Sequence, residues 1–99
     1  MKEFTYVIVD KDGMHARPAG RLAATAKQFA SDIEVRANGK SANAKRLLSL
    51  MMLGAVLGTT LTFSVSGEDE DRAALALEQF CRTQWNPMGA VVNDETIEN

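Results

Sequence analysis

The stretch Thr59-Thr60-Leu61-Thr62-Phe63-Ser64-Val65-Ser66 decides the fold class of this chain. Leu61, Phe63 and Val65 occupy alternate positions, and threonine or serine fills the positions between them. Successive side chains of a strand point to opposite faces, so this pattern predicts a half-buried β-strand with one apolar face. A sheet with one buried face needs helices on that face alone, which is the α+β arrangement.

The strand pattern also argues against a membrane helix. No residue from Leu47 to Gly67 is charged, and Lys45-Arg46 precedes the stretch, so length and flanks alone would suit a transmembrane segment. However, Gly54 and Gly58 interrupt the stretch and its second half alternates. Without this segment the rest of the chain would have almost no core, and we therefore expect no stable membrane insertion.

Patterns on both sides of the stretch predict the remaining elements. Strand composition covers 4–9, and apolar spacing of three and four residues predicts a helix over 16–30. Alternation over 33–37 precedes Asn38-Gly39, a strong hairpin signal, which predicts a returning strand over 40–42.

Two further helices complete the prediction. Asn43 is a candidate cap for a short helix that carries Leu47, Leu48, Met51 and Met52. The acidic run 68–71 opens the last helix, where negative charge offsets the helix dipole. Its apolar stripe contains Ala74, Leu77, Phe80 and Cys81, and we expect a buried thiol at Cys81.

The element order is therefore β-α-β-β-α-β-α. It predicts an α+β domain over residues 1–85, with a four-stranded antiparallel sheet covered on one face by three helices. Asn86-Pro87 is expected to end the last helix. Residues 86–99 form an acidic tail that we expect to be mobile or loosely docked.

Composition excludes several classes of function. A net charge of −2 with four Phe, one Tyr and one Trp does not suit nucleic-acid binding. The chain has one cysteine, which excludes an internal disulfide framework. One cysteine and one histidine are too few for the usual zinc ligand sets, so we expect no metal and no cofactor. No secretory signal follows Lys2-Glu3, and a cytoplasmic location is expected.

The single histidine lies in the segment Asp12-Gly13-Met14-His15-Ala16-Arg17-Pro18-Ala19. His15 falls between a glycine turn and a helix N-terminus, where unpaired N–H groups and the helix dipole create an anion site. The backbone N–H groups of Ala16 and Arg17 are candidate phosphate donors, and the Arg17 side chain can add a charge-assisted bond. Pro18 suits the first turn because its missing N–H would be unpaired there.

Each of these residues has an ordinary interpretation when taken alone. A lone histidine is more often structural, and Arg17 could be a solvated helix residue. No other residues complete an enzyme active site. A Ser-His-Asp triad cannot be argued from a single histidine and scattered serines. Gly39-Lys40-Ser41 resembles the end of a phosphate-binding loop, but Glu34 occupies the position of its first glycine. The combination favours a carrier of a phosphoryl group on His15.

Several segments resemble the HPr family, the histidine-containing phosphocarrier proteins of the bacterial phosphoenolpyruvate-dependent sugar phosphotransferase system. The matching segments are Gly13–Ala19, Asn38–Ala42, Leu53-Gly54 and Gly67–Glu70, within a resemblance that extends over 1–84. The family fold is an open-faced β-sandwich with four antiparallel strands and three helices, which agrees with the element order above.

The resemblance implies that enzyme I phosphorylates His15 on Nδ1 and that enzyme IIA domains then receive the group. The family's docking surface maps here to Arg17, Gly20, Lys27, Leu47, Leu48 and Met51. A short helix with so many apolar side chains cannot bury all of them, which favours an exposed docking face. The alternative that Leu47 and Met51 belong to the core stays open. We expect a monomer.

The chain departs from the family at two places. Many members carry a regulatory serine at the start of the second helix, where this chain has Arg46, so control by phosphorylation at that position is in doubt. The tail after Trp85 is absent from typical members.

Three other functions are weighed against a carrier in sugar transport. The first is a regulatory carrier in a parallel, nitrogen-related phosphotransferase chain. The second is a docking-only module, which would have no use for a nucleophile in an intact His15-Ala16-Arg17-Pro18 segment. The third is a small enzyme, for which a second catalytic group is missing.

Overall fold

The computed structural model describes residues 1–83. Seven elements follow one another in the predicted order β-α-β-β-α-β-α. They are β1 (Lys2–Val7), α1 (Ala16–Ala26), β2 (Asp32–Ala37), β3 (Lys40–Asn43), α2 (Leu47–Met51), β4 (Thr60–Ser66) and α3 (Glu70–Thr83).

The four strands form one antiparallel sheet in the order β1-β4-β2-β3. Strand β4 lies between β1 and β2, with Leu61 opposite Tyr6 and Phe63 opposite Val35. Because β4 has a bonded neighbour on each side and helices above one face, Leu61, Phe63 and Val65 are fully buried. The alternation that predicted a half-buried strand therefore marks the centre of the sheet.

The core lies between this sheet face and the three helices. Each helix contributes a fully buried leucine, namely Leu22, Leu50 and Leu77. The rings of Phe4 and Phe63 stack with centroids 4.6 Å apart. The opposite sheet face is polar and carries the bond from Ser64 to Glu3. In the part of the chain described here, no helix is long and apolar enough to cross a membrane.

Strand β1 begins and ends earlier than the predicted range 4–9. It covers Lys2–Val7, because its partner β4 begins at Thr60, opposite Val7. Beyond that pair, Ile8 bonds instead to the loop before β4, donating to the Thr59 carbonyl at 3.0 Å.

Helix α1 ends at Ala26, so the predicted end at Ala30 is wrong. The chain tightens after Ala26 through three-residue bonds such as Phe29 N–H to the Ala26 carbonyl. The N–H groups of Ala30 and Ser31 then bond to the Asp69 carboxylate, at 2.9 and 3.0 Å. Ala30 is exposed as a result, although its spacing placed it on the apolar stripe.

Asp69 therefore does more than offset the dipole of α3, because it also binds the turn that follows α1. Its carboxylate also accepts the Ser31 hydroxyl, and its carbonyl accepts the Ala73 N–H that starts α3. Glu70 and Asp71 occupy the first turn of α3, as the acidic run predicts. Asp69 joins the turn after α1 to the start of α3.

The remaining local predictions have three outcomes: two are confirmed, one is wrong, and two concern residues that the structure does not describe. Asn38 and Gly39 both have positive φ, 54° and 76°, which confirms the two-residue hairpin turn between β2 and β3. Cys81 is buried, as expected. Asn43 does not cap α2, since its side chain instead accepts the Lys45 N–H at 2.9 Å. The expected helix end at Asn86-Pro87 and the tail 86–99 lie outside the described residues.

We predict that Asp69→Ala lowers the free energy of unfolding more than Asp71→Ala. The hydrogen bonds from Ser31 and Ala30 lower the pKa of Asp69 from 3.8 to about 2. A carboxylate with a lowered pKa stabilises the fold above the unfolded value, and that contribution is lost as the pH falls from 3.8 towards 2. Asp71, which pairs only with Lys2 among the described ion pairs, is the matched control.

Urea unfolding at several pH values measures this difference. The gap between the native protein and Asp69→Ala should be widest near neutral pH and should close towards pH 2. A gap that is constant across this range would contradict the assignment.

Candidate functional site

His15 is the N-cap residue of α1. Its backbone is extended, with φ −91° and ψ −174°, and its carbonyl accepts the Ala19 N–H at 3.1 Å. The imidazole remains 38% exposed, so a molecule arriving from solvent can reach it. The predicted junction between a glycine turn and a helix is therefore present.

The turn before His15 is held by backbone bonds on both sides. Gly13 N–H donates to the Asp10 carbonyl at 2.9 Å, and Met14 N–H donates to the Ala55 carbonyl at 3.0 Å. Gly13 has φ +67°, and a Cβ there would lie 2.6 Å from the Ala55 oxygen. Only glycine allows this approach, which packs the His15 loop against the segment between α2 and β4.

The first turn of α1 leaves hydrogen-bond donors available. Among the described residues, no acceptor is bonded to the N–H of Ala16 or Arg17. The Arg17 side chain is exposed and forms no ion pair within residues 1–83. Pro18 is partly buried and lines a small cavity under the loop with Tyr6 and Met14.

Two carboxylates lie close to the imidazole. Asp10 Oδ2 is 3.7 Å from His15 Nε2, and Asp10 Oδ1 accepts the Asp12 N–H at 2.8 Å. Ligand atoms of Asp10, Asp12 and His15 all lie within 4.8 Å of one another on an open loop. The motif around His15 predicts a glycine turn but not the position of the Asp10 carboxylate beside the ring.

The cavity under the loop also reaches Tyr6. Burial raises the pKa of the Tyr6 hydroxyl to about 12, and the nearby Asp10 carboxylate adds to the effect. The phenol is therefore neutral across the physiological range and contributes packing beneath the turn.

Helix α2 presents an apolar surface beside α1, on which it packs. Leu47, Leu48, Met51 and Met52, which we call the α2 patch, are 38%, 73%, 37% and 74% exposed. Their exposure answers the open question about Leu47 and Met51, because Leu50 alone on this helix is fully buried. Val56 and Leu57, which no sequence pattern placed on this surface, are also exposed in the following loop.

The other predicted docking residues lie along α1 and its end. Gly20 is partly buried within α1, and Lys27 is the exposed residue that follows the helix. Arg46 is the residue before α2, exposed and with no side-chain cap of the helix. Its guanidinium makes no ion pair among the residues described.

Comparison with known proteins identifies the family. The family model described as the HPr component phosphorylation site of the phosphotransferase system matches residues 2–83. The chain belongs to the HPr family. Members of the HPr family are phosphocarriers of the phosphotransferase system, so this chain is a carrier component of that system and not an enzyme.

Individual HPr relatives agree with this assignment. Phosphocarrier protein HPr of Lysinibacillus sphaericus is 48% identical over 77 residues, covering 78% of this chain and 88% of that protein. Phosphocarrier protein HPr of Mycoplasma capricolum is 40% identical over 79 residues, covering 80% of this chain and 89% of the relative.

Solved HPr structures confirm the fold. The histidine-containing phosphocarrier protein of Mycoplasma superposes with a TM-score of 0.80 at 38% identity, covering 85% of this chain and 97% of the other. HPr of Thermoanaerobacter tengcongensis gives 0.80 at 39% identity, with 86% and 96% covered. A dimer of HPr from that organism matches at 0.68 with 38% identity, covering 87% and 99%.

We predict that Gly13→Ala destabilises the protein far more than Gly54→Ala. Both glycines have φ +67°, so an alanine at either position costs about 1–2 kcal/mol for the left-handed backbone. Only Gly13 has backbone atoms where the Cβ would lie, which adds about 1–3 kcal/mol of overpacking. Denaturant unfolding of both variants measures the difference, and equal losses would show that the close approach to Ala55 is unimportant.

Proposed function

We propose that His15 accepts a phosphoryl group from phosphorylated enzyme I and donates it to enzyme IIA domains during phosphoenolpyruvate-dependent sugar uptake. The observation that carries the proposal is the position of the imidazole at the N-cap of α1, beside the unbonded N–H groups of Ala16 and Arg17. These donors and the helix dipole favour negative charge at that point.

The surroundings of the ring support Nδ1 as the accepting nitrogen. The Asp10 carboxylate lies on the Nε2 side, 3.7 Å away, and would repel a phosphoryl group there. Nδ1 is the nitrogen that the carboxylate does not face. Its lone pair forms the new N–P bond as the bond between phosphorus and the donor breaks, and the donor keeps that electron pair.

The new phosphoryl oxygens then meet donors from this chain. The N–H groups of Ala16 and Arg17 supply charge-assisted hydrogen bonds, and the Arg17 guanidinium can close over the group from solvent. Pro18 fixes the first helical turn that presents these donors and anchors it over the cavity beside Met14.

An exposed site suits transfer between two partners. The imidazole is more than a third exposed, so it can enter the active site of a donor and later that of an acceptor. The α2 patch provides an apolar docking surface, with Arg17, Gly20 and Lys27 on the neighbouring α1 segment. Each partner would use the same surface in turn, which requires weak and reversible binding.

We expect labelled phosphoenolpyruvate and enzyme I to label the native protein and to leave His15→Ala unlabelled. A phosphoramidate is acid-labile and base-stable, so the label should be lost in acid and retained in base. Thermal unfolding of His15→Ala serves as the folding control, since a half-exposed side chain contributes little to the core. A folded native protein that takes no label would contradict the proposal.

Leu48→Ala should raise the KM of enzyme I for this protein about fivefold to tenfold and leave kcat unchanged. Leu48 is 73% exposed on the α2 patch, so its loss removes docking surface without opening the core. Leu75→Ala is the matched control, because Leu75 is 57% exposed on α3, away from the patch. Equal KM values for the two variants would exclude the patch from docking.

Arg46→Ser should slow phosphotransfer at low ionic strength and flatten its salt dependence. An unpaired, exposed cation beside the α2 patch adds positive potential that favours acidic partners, and salt screens this attraction. Arg72→Ser is the control for loss of a positive charge on α3, where Arg72 is exposed and lies 3.8 Å from the Asp69 carboxylate. The hypothesis is wrong if Arg46→Ser and the native protein share the same rates from low to high salt.

A further inference from the structure

Asp10 holds a fixed orientation beside the histidine. Its Oδ1 atom accepts the Asp12 N–H at 2.8 Å, and its carbonyl accepts the Gly13 N–H at 2.9 Å. These two bonds form a turn in which backbone N–H groups of the following residues hold the Asp10 carboxylate in place. The second oxygen, Oδ2, is left facing His15 Nε2 at 3.7 Å.

We infer that Asp10 is a positioning residue that keeps the proton of the neutral His15 ring on Nε2 and so leaves the lone pair on Nδ1. This role rests on the proposed function, because it concerns the nitrogen that would accept the phosphoryl group. In this role Asp10 acts through the imidazole and not by contact with the phosphoryl group.

The chemistry of the two groups sets the direction of this effect. A neutral imidazole has one N–H donor and one lone pair, while an ionised carboxylate can only accept. A carboxylate facing Nε2 therefore favours the form with the proton on that nitrogen. Once Nδ1 carries the phosphoryl group, the same carboxylate can accept the Nε2–H and hold the ring in place.

The distance is compatible with this role. At 3.7 Å the pair is beyond a normal hydrogen bond, and a shift of about half an ångström would close it. Contacts of this kind are often long in the resting protein and tighten when the partner binds. The imidazole is 38% exposed and makes no capping bond to α1, so the ring can move towards the fixed carboxylate.

Asp12 provides a matched control for charge. Its ligand oxygen lies within 4.8 Å of the same histidine, but it joins the turn through its backbone N–H and not through its carboxylate. Asp12→Asn therefore removes one negative charge near the ring and leaves the turn intact. Asp10→Asn also keeps an oxygen for the turn, but it places an NH2 donor towards Nε2, which favours the opposite tautomer.

Nitrogen-15 NMR of the histidine ring in the full chain tests the inference without any partner. The spectra are recorded at alkaline pH, where the ring shifts of a neutral imidazole report which nitrogen carries the proton. We expect Nε2–H to dominate in the native protein and in Asp12→Asn. In Asp10→Asn the ratio of Nε2–H to Nδ1–H should fall at least about threefold, and transfer from enzyme I should slow about tenfold.

The outcomes separate this inference from the proposed function. An unchanged tautomer ratio in Asp10→Asn, an equal change in Asp12→Asn, or a changed ratio with an unchanged transfer rate would each overturn the role of Asp10. Failure of the native protein to accept phosphate would instead overturn the proposed function, whatever the ring shifts show.

Discussion

The contact between the Gly13-Met14 turn and the Ala55 backbone is the constraint on which the site depends. The Met14 N–H donates to the Ala55 carbonyl, and Gly13 lies where any Cβ would meet that same oxygen. This contact ties the loop before α1 to the segment that leads from α2 into the central strand β4. The N-terminus of α1 is therefore set relative to both the core and the α2 patch by one backbone approach.

The surroundings of His15 are electrostatically divided. The N–H groups of the helical turn that follows His15 and the positive charge of Arg17 attract negative charge. The carboxylate of Asp10, 3.7 Å from Nε2, has the opposite effect. The carboxylate therefore makes the two ring nitrogens unlike, and the proposed carrier role uses this difference. The imidazole stays exposed, as the proposed transfer between two partners requires.

Local sequence patterns predicted the parts of the fold that depend on local physics. Alternation over 60–66 and the Asn38-Gly39 turn were confirmed, and so was the helix that begins after His15. The order of strands in the sheet and the end of α1 depend on contacts between distant residues. The bonds from Ala30 and Ser31 to Asp69 span almost forty positions, and no pattern within 16–30 could reveal them.

The site shows the same division between local and distant information. The motif around His15 predicted the helix N-terminus, because proline and glycine preferences are local. Asp10 was missed because a turn-forming Asp reveals its own backbone bonds and not the direction of its second oxygen. The exposure of Leu47 and Met51 was open for a related reason, since five-residue α2 has no clear periodicity.

Amide NMR spectra before and after phosphorylation test the central claim most directly, because they report where the phosphoryl group finds its donors. If the N-terminus of α1 receives the group, the amide protons of Ala16 and Arg17 should show the largest downfield shifts in the protein. The turn that carries Met14 should remain bonded to Ala55. Shifts that are small at Ala16 and Arg17 and largest elsewhere would contradict the account.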